Sequence, residues 1–412
     1  MDLTQLLPLF LMIFSFSAAS LAKTELSTYQ RTDIQFSQAS ITSEFEFDNG
    51  LPIVNLSIQG KHYRFLFDTG AISTIDLKLA QQLNLPVQAL PHLKAMDANG
   101  ETSNIQGAVI PSLNWNGLTI NNLGVAVFDL NPANGLFSCI KLDGILGYNL
   151  ISLLPGIKID YQQRQLTLSS RPQTFAKDAA VIPIELKAGS GPILRLHFNQ
   201  AVKNVPVILD TGKNAGLSLP IRVGQELKRT EHLAYPVYPV FSQENSALFT
   251  QQANQSFLTR IDNVYLSHFK IDNMVVDFNQ GMPLLGNDFL RQYTVSINWQ
   301  QRRIGLIPNG EARHAEDWST FGLYPTFDAA QGVVVGRLLP TVSKAMKQIR
   351  VGDKIVQVEN NDTSTNPLES VCFMSQNKYK AKQNPTINLT LERNHQQYQL
   401  TLERKYLFRH QG

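Results

Sequence analysis

Tyr63-Arg64-Phe65-Leu66-Phe67 runs straight into Asp68-Thr69-Gly70, an apolar strand-forming stretch cut short by a turn-forming tripeptide. The chain does this twice: Val205-Pro206-Val207-Ile208-Leu209 leads into Asp210-Thr211-Gly212. Each copy then continues in the same order. Gly144-Ile145-Leu146-Gly147 is followed by Ile157-Lys158-Ile159-Asp160-Tyr161, and Pro283-Leu284-Leu285-Gly286 by Val295-Ser296-Ile297-Asn298-Trp299. Gly147 follows Asp68 at nearly the distance at which Gly286 follows Asp210. A single Asp-Thr-Gly is an ordinary side-chain-capped turn. Two of them, with matching strands before and matching apolar-apolar-Gly segments after, mark a tandem duplication.

Between these landmarks lie short runs rich in Val, Ile, Leu and Phe, punctuated by Asn49-Gly50, Asn99-Gly100 and Asn116-Gly117. Such punctuation favours β-hairpins over long helices. Short helices are expected only at Asp76 to Leu83 and Asp288 to Gln292. The expected fold is mainly β: two homologous β-barrel lobes, 45–172 and 178–309, followed by a smaller module at 320–407. The composition fits a folded chain of several domains, with 412 residues, 43% hydrophobic and 17% charged. A net charge of +3 is too small to build the field that nucleic-acid binding needs, so no nucleic-acid partner is expected. Leu6 to Leu21 is apolar but broken by Pro8, Ser15 and Ser17, and small residues end at Ala22. That pattern reads as a signal peptide over 1–22, cleaved after Ala22, and predicts a periplasmic or secreted protein without stable membrane insertion. Cys139 and Cys372 stand far apart in the sequence and are expected to be isolated buried thiols. The eight His lack ligand spacing and no phosphate loop occurs, so neither a metal nor a cofactor is expected. His62, His92 and His197 read as surface or packing residues.

At the two Asp-Thr-Gly tripeptides the sequence resembles the aspartic peptidases, specifically the retropepsin-like branch found in bacteria with both lobes fused in one chain. The resemblance spans about residues 45–309 and implies an aspartic endopeptidase acting on a peptide or protein substrate. It places Asp68 and Asp210 as the catalytic pair, Thr69 and Thr211 as residues bonding across the lobe junction, and Gly70 and Gly212 as positions left open for water and substrate. Ile145-Leu146-Gly147 and Leu284-Leu285-Gly286 match strands that thread beneath the catalytic loops. Ala71, in place of the hydroxyl residue of pepsin-like members, implies a weakly acidic to near-neutral optimum. The second copy departs from the pattern at Lys213, where an ammonium would favour an ionised Asp210 and oppose a shared proton. Lys213 is therefore a possible modulator, facing either the dyad or a substrate subsite. The same departure supports an alternative reading, a non-catalytic peptide-binding protein that keeps the bilobal cleft. Family members cover the cleft with a hairpin flap, and Lys94 to Ile110, turning at Asn99 and Gly100, is the candidate. Its counterpart, Phe241 to Ser256, lacks Gly and reads as a loop.

Beyond a polar stretch at Glu311 to Ser319, Gly352-Asp353-Lys354-Ile355 within Ile349 to Val358 resembles a PDZ domain. The resemblance implies an extended peptide ligand added along a sheet edge. Phe321-Gly322-Leu323-Tyr324 loosely matches the family's carboxylate-binding loop. Pro325 removes a backbone donor just after it.

Overall fold

The computed structural model describes residues 32–96, 102–131, 139–187, 189–200, 202–242, 254–310, 318–328, 330–365, 367–377 and 385–408. Residues 1–22, expected to be a signal peptide, and the expected flap tip, Asn99-Gly100, lie outside them. The chain is built mainly of β-strands, and two of these precede residue 45: β1 (Asp33–Phe36) and β2 (Ser40–Glu44). The first lobe continues with β3 (Glu46–Asp48), β4 (Leu51–Ile58), β5 (Lys61–Phe67) and β6 (Thr74–Asp76). Helix α1 (Leu77–Gln82) follows, its first turn capped by the Asp76 carboxylate, and then β7 (Gln88–Met96), β8 (Thr102–Trp115) and β9 (Leu118–Phe128). Asn49-Gly50 and Asn116-Gly117 both take the positive φ that a tight hairpin requires and join β3 to β4 and β8 to β9. β7 and β8, which flank the expected flap tip, pair antiparallel.

The first lobe then threads a short strand, β10 (Gly144–Leu146), parallel to β5 and antiparallel to β6. Helix α2 (Tyr148–Ile151), β11 (Gly156–Asp160) and β12 (Gln165–Ser169) complete it. The second lobe repeats the plan with β13 (Ala180–Pro183), β14 (Ile193–His197), β15 (Val205–Leu209), β16 (Leu217–Pro220) and helix α3 (Ile221–Arg229). β17 (Tyr238–Ser242), β18 (Asn254–Ile261), β19 (Val264–Leu266), β20 (Phe269–Ile271) and β21 (Met274–Asn279) follow. β22 (Leu284–Leu285) threads parallel to β15, then come α4 (Asn287–Leu290), β23 (Tyr293–Asn298) and β24 (Arg303–Pro308). The matching segments found in the sequence pair with each other: β11 lies antiparallel to β23, Ile157 opposite Ile297 and Ile159 opposite Val295. They form the centre of a six-stranded sheet shared by both lobes, and all four side chains are fully buried.

The C-terminal module contains β25 (Ser319–Thr320), β26 (Leu323–Asp328), β27 (Gly332–Leu338), β28 (Lys354–Val358) and β29 (Asn361–Asp362). Helix α5 (Pro367–Asn377), β30 (Thr386–Arg393), β31 (Gln396–Glu403) and β32 (Lys405–Tyr406) complete it. It has its own core around Val335, Ile355 and Leu391. One sequence expectation fails at its borders, that of free cysteines. At the ends of the second copy's Phe241 to Ser256 segment, β17 and β18 pair antiparallel from Tyr238 opposite Leu258 to Ser242 opposite Asn254, and the residues between them, 243–253, lie outside the described residues. The strands hold because Val240 and Leu258 bury against the module's Leu339, Leu407 and Phe408, a partner that local sequence does not display. The cysteines are not the isolated thiols that the sequence suggests. Cys139 and Cys372 form a disulfide with Cα atoms 5.3 Å apart, because the fold brings α5 of the module beside the first lobe.

Candidate active site

Asp68 and Asp210 sit at equivalent ends of β5 and β15. Each backbone N–H donates to the threading strand: Asp68 N to Leu146 O at 2.9 Å and Asp210 N to Leu285 O at 2.9 Å. The two threading strands end in Gly because no side chain fits there. A Cβ on Gly147 would overlap the Ile72–Ser73 backbone, and one on Gly286 would lie 2.7 Å from Lys213 Cγ. This close stacking fixes each Asp-Thr-Gly loop from below.

The threonines lock the loops to each other. Thr69 Oγ1 donates to Leu209 O at 2.6 Å and accepts from Thr211 N at 3.1 Å. Thr211 Oγ1 reciprocates, donating to Phe67 O at 2.7 Å and accepting from Thr69 N at 3.0 Å. Both side chains are fully buried, so these bonds are made away from competing water. The two carboxyls are thereby brought together, each close enough to perturb the titration of the other. Asp68 Oδ1 also accepts from Gly70 N at 2.8 Å and Ala71 N at 3.0 Å, and Asp210 Oδ1 from Gly212 N at 2.8 Å. Glycine is required on both sides: a Cβ on Gly70 would lie 2.7 Å from Asp210 Cγ, and one on Gly212 would overlap the Asp68 carboxylate.

Residues 54–150 match the family described as Aspartyl protease. The matched segment holds the first Asp-Thr-Gly and the first threading strand. No curated protein matches the chain. Among solved structures the chain is similar to an aspartic proteinase from Irpex lacteus, at 12% identity and a TM-score of 0.41, covering 66% of this chain and 98% of that one.

The dyad is asymmetric. Burial pushes Asp68 well above the usual carboxylate range, and the charge of Asp210 adds to the rise. Burial also raises Asp210, but there the positive charge of Lys213 opposes it. Lys213 therefore biases the pair toward ionisation at Asp210, while the titration belongs to the two carboxyls together. Lys213, half-buried, occupies the loop position of Ala71, and its Cγ lies over Gly286.

Two polar residues without a sequence signature complete the floor. Asn287 is fully buried, and its side chain donates to Thr211 O at 2.7 Å and Gly50 O at 2.8 Å. It also accepts from Tyr161 Oη at 2.8 Å, tying the second Asp-Thr-Gly loop to the interlobe sheet. Burial first, and then the charge of Asp210, holds the Tyr161 phenol protonated.

Proposed function

We propose that the chain is an aspartic endopeptidase. One observation carries the reading: two buried carboxyls, one from each half of the duplication, face each other across loops whose glycines leave room for the opposite carboxyl. Like charges so close do not both ionise, and the pair holds one proton over a window of pH. In the proposed reaction Asp210 takes a proton from a water lying between the carboxyls as its oxygen attacks the peptide carbonyl. Asp68 gives its proton to the carbonyl oxygen. The tetrahedral intermediate then collapses, the C–N bond breaks, the amine leaves with the proton held by Asp210, and Asp68 recovers its own. The proposed substrate lies under the β7–β8 hairpin, and the proposed compartment is periplasmic or secreted.

The module is proposed to take an extended peptide, as a PDZ domain would. β26 has one sheet neighbour among the described residues, β27, and α5 packs beside it, which supports a strand-addition edge.

Cleavage of an unfolded protein mixture by wild type, Asp68→Asn and Asp210→Asn tests the peptidase reading. Each variant is expected to lose about 10²–10⁴-fold or more of the rate, the range that a positioned acid or base supplies. Retained cleavage by either variant would reject the shared dyad. Thermal melts guard against misfolding. Asp68 has a raised pKa when folded, so its charge opposes folding once pH exceeds its unfolded value, and the Asn variant is expected to melt higher at neutral pH. The non-catalytic reading, which Lys213 favours, requires wild type to bind peptides without cutting them.

A further inference from the structure

The apolar wall beside Asp68 is built from the segment that carries the disulfide. Ile140, Leu142 and Ile145 bury with Leu51, Leu66 and Leu130, and Ala71 and Cys139 pack against that cluster. Ala71 N is itself a donor to Asp68, so a single hydrogen bond links this cluster to the carboxyl. The inner end of the segment is pinned within its own lobe. The Asn131 amide brackets Leu142, donating to its carbonyl at 2.7 Å and accepting from its N–H at 3.0 Å. The Asp143 carboxylate accepts from Arg64 N at 2.7 Å, and the Arg64 guanidinium donates to Ile140 O.

The outer end is held by the module. Cys139 is bonded to Cys372 on α5, and α5 packs on β26 and β27. β27 in turn pairs with β17 of the second lobe, Phe241 opposite Leu338 and Ser242 opposite Arg337. Arg337 Nη2 meets Asp277 Oδ2 at 2.7 Å, and Tyr238 Oη donates to Leu407 O at 2.9 Å. A continuous path thus runs from the wall beside Asp68, through the disulfide and the module, into the opposite lobe. It is separate from the threonine lock and the interlobe sheet, which position the carboxyls.

The geometry points to Cys139 and Cys372 as substrate-positioning residues: their bond makes the C-terminal module a strap that holds the apolar wall of the first lobe in place for a large apolar substrate side chain. This rests on the peptidase reading. A wall ordered in advance spares the substrate the cost of ordering it, and binding keeps the difference. Cutting the strap therefore raises KM for peptides with a large apolar residue beside the cut bond. The kcat pH limits, set by the dyad, do not move.

The test compares wild type with Cys139→Ser/Cys372→Ser on paired peptides bearing Leu or Ser beside the cut bond. Hydrogen exchange is followed at 140–146 and at 295–298. Wild type reduced in place with dithiothreitol gives the same comparison without refolding; the reagent's two thiols close to a disulfide as both cysteines become thiols. The expected result is a KM rise of about 2- to 10-fold on the Leu peptide, matching the ordering of one side chain. The Ser peptide should change less, exchange should quicken at 140–146 but not at 295–298, and the pH limits should hold. Equal KM changes on both peptides, unchanged exchange at 140–146, or shifted pH limits would overturn the strap. If wild type cleaves nothing, the peptidase reading falls, and exchange at 140–146 decides the strap alone: faster upholds it, unchanged rejects it.

Discussion

Lys213 is where the two halves of the duplication differ most in chemistry. Its charge favours the ionised form of Asp210, the group proposed to lose its proton first as pH rises. Replacing it removes that help, so Lys213→Met is expected to move the acid limb of the kcat/KM profile to higher pH, while Lys213→Arg leaves that limb in place. A pH profile of the two variants checks this, and an unmoved acid limb in Lys213→Met removes the residue from the dyad's electrostatics. The residue could be singled out in the sequence because it breaks a repeated pattern at a fixed offset from Asp210. Asn287 and Tyr161 could not: each is one polar residue in an unremarkable context. Their importance comes from meeting in space, Tyr161 from the first lobe and Asn287 from the second.

The short strands and loops around the dyad are legible for a different reason. Tight backbone stacking demands Gly at fixed places and Thr at the crossing, and those demands leave letters in the sequence. Thr211→Val keeps the shape of the crossing but removes a hydroxyl that donates to Phe67 O and accepts from Thr69 N. Leaving buried polar groups unpaired costs about 1–3 kcal/mol each, so a fall in stability of about 2–4 kcal/mol is expected by denaturant titration. A loss below 0.5 kcal/mol would mean that water replaces the bonds. The module has a comparable fixed point in its Gly-Asp motif. Asp353, nearly fully buried, accepts from Arg350 N at 2.7 Å, Arg393 Nε at 2.6 Å and Tyr398 Oη at 2.8 Å. These donors overcome the burial that would raise it and hold its carboxyl below the usual range. Arg393→Ala strips the charged partner from a buried carboxylate that keeps two neutral donors, and a loss of about 1–3 kcal/mol is expected in the module. Because a depressed carboxyl stabilises the fold only while ionised, wild type should lose this contribution as pH falls through the folded-state pKa of Asp353. Urea melts of wild type and Arg393→Ala should therefore converge at low pH. By contrast, the β17–β18 hairpin was illegible because its buried face is completed by residues from the distant C-terminus.

The whole molecule departs from the string of independent units that its sequence suggests. Duplication and the module's own motif both read as separate domains, since each carries its own alternation of apolar and polar residues. The joints between them leave no such trace: the disulfide is a matter of distance, and the β17–β27 pairing involves only two residues on each side. These joints determine what removing the module does. Truncation before residue 316 would expose Val240 and Leu258, both buried against the module, and would leave β17 with an open edge and Cys139 without its partner. Each such apolar side chain contributes about 1.5–3 kcal/mol when fully buried, and an uncovered strand edge recruits other chains. A chain ending at residue 315 is therefore expected to melt at lower temperature than the full protein and to associate at micromolar concentration, as read by calorimetry and light scattering. Substituting Val240→Thr and Leu258→Thr in the truncated chain should reduce that association by making the uncovered face polar. A truncated chain that stays monomeric with an unchanged melting temperature would show that the module docks too weakly to stabilise the second lobe.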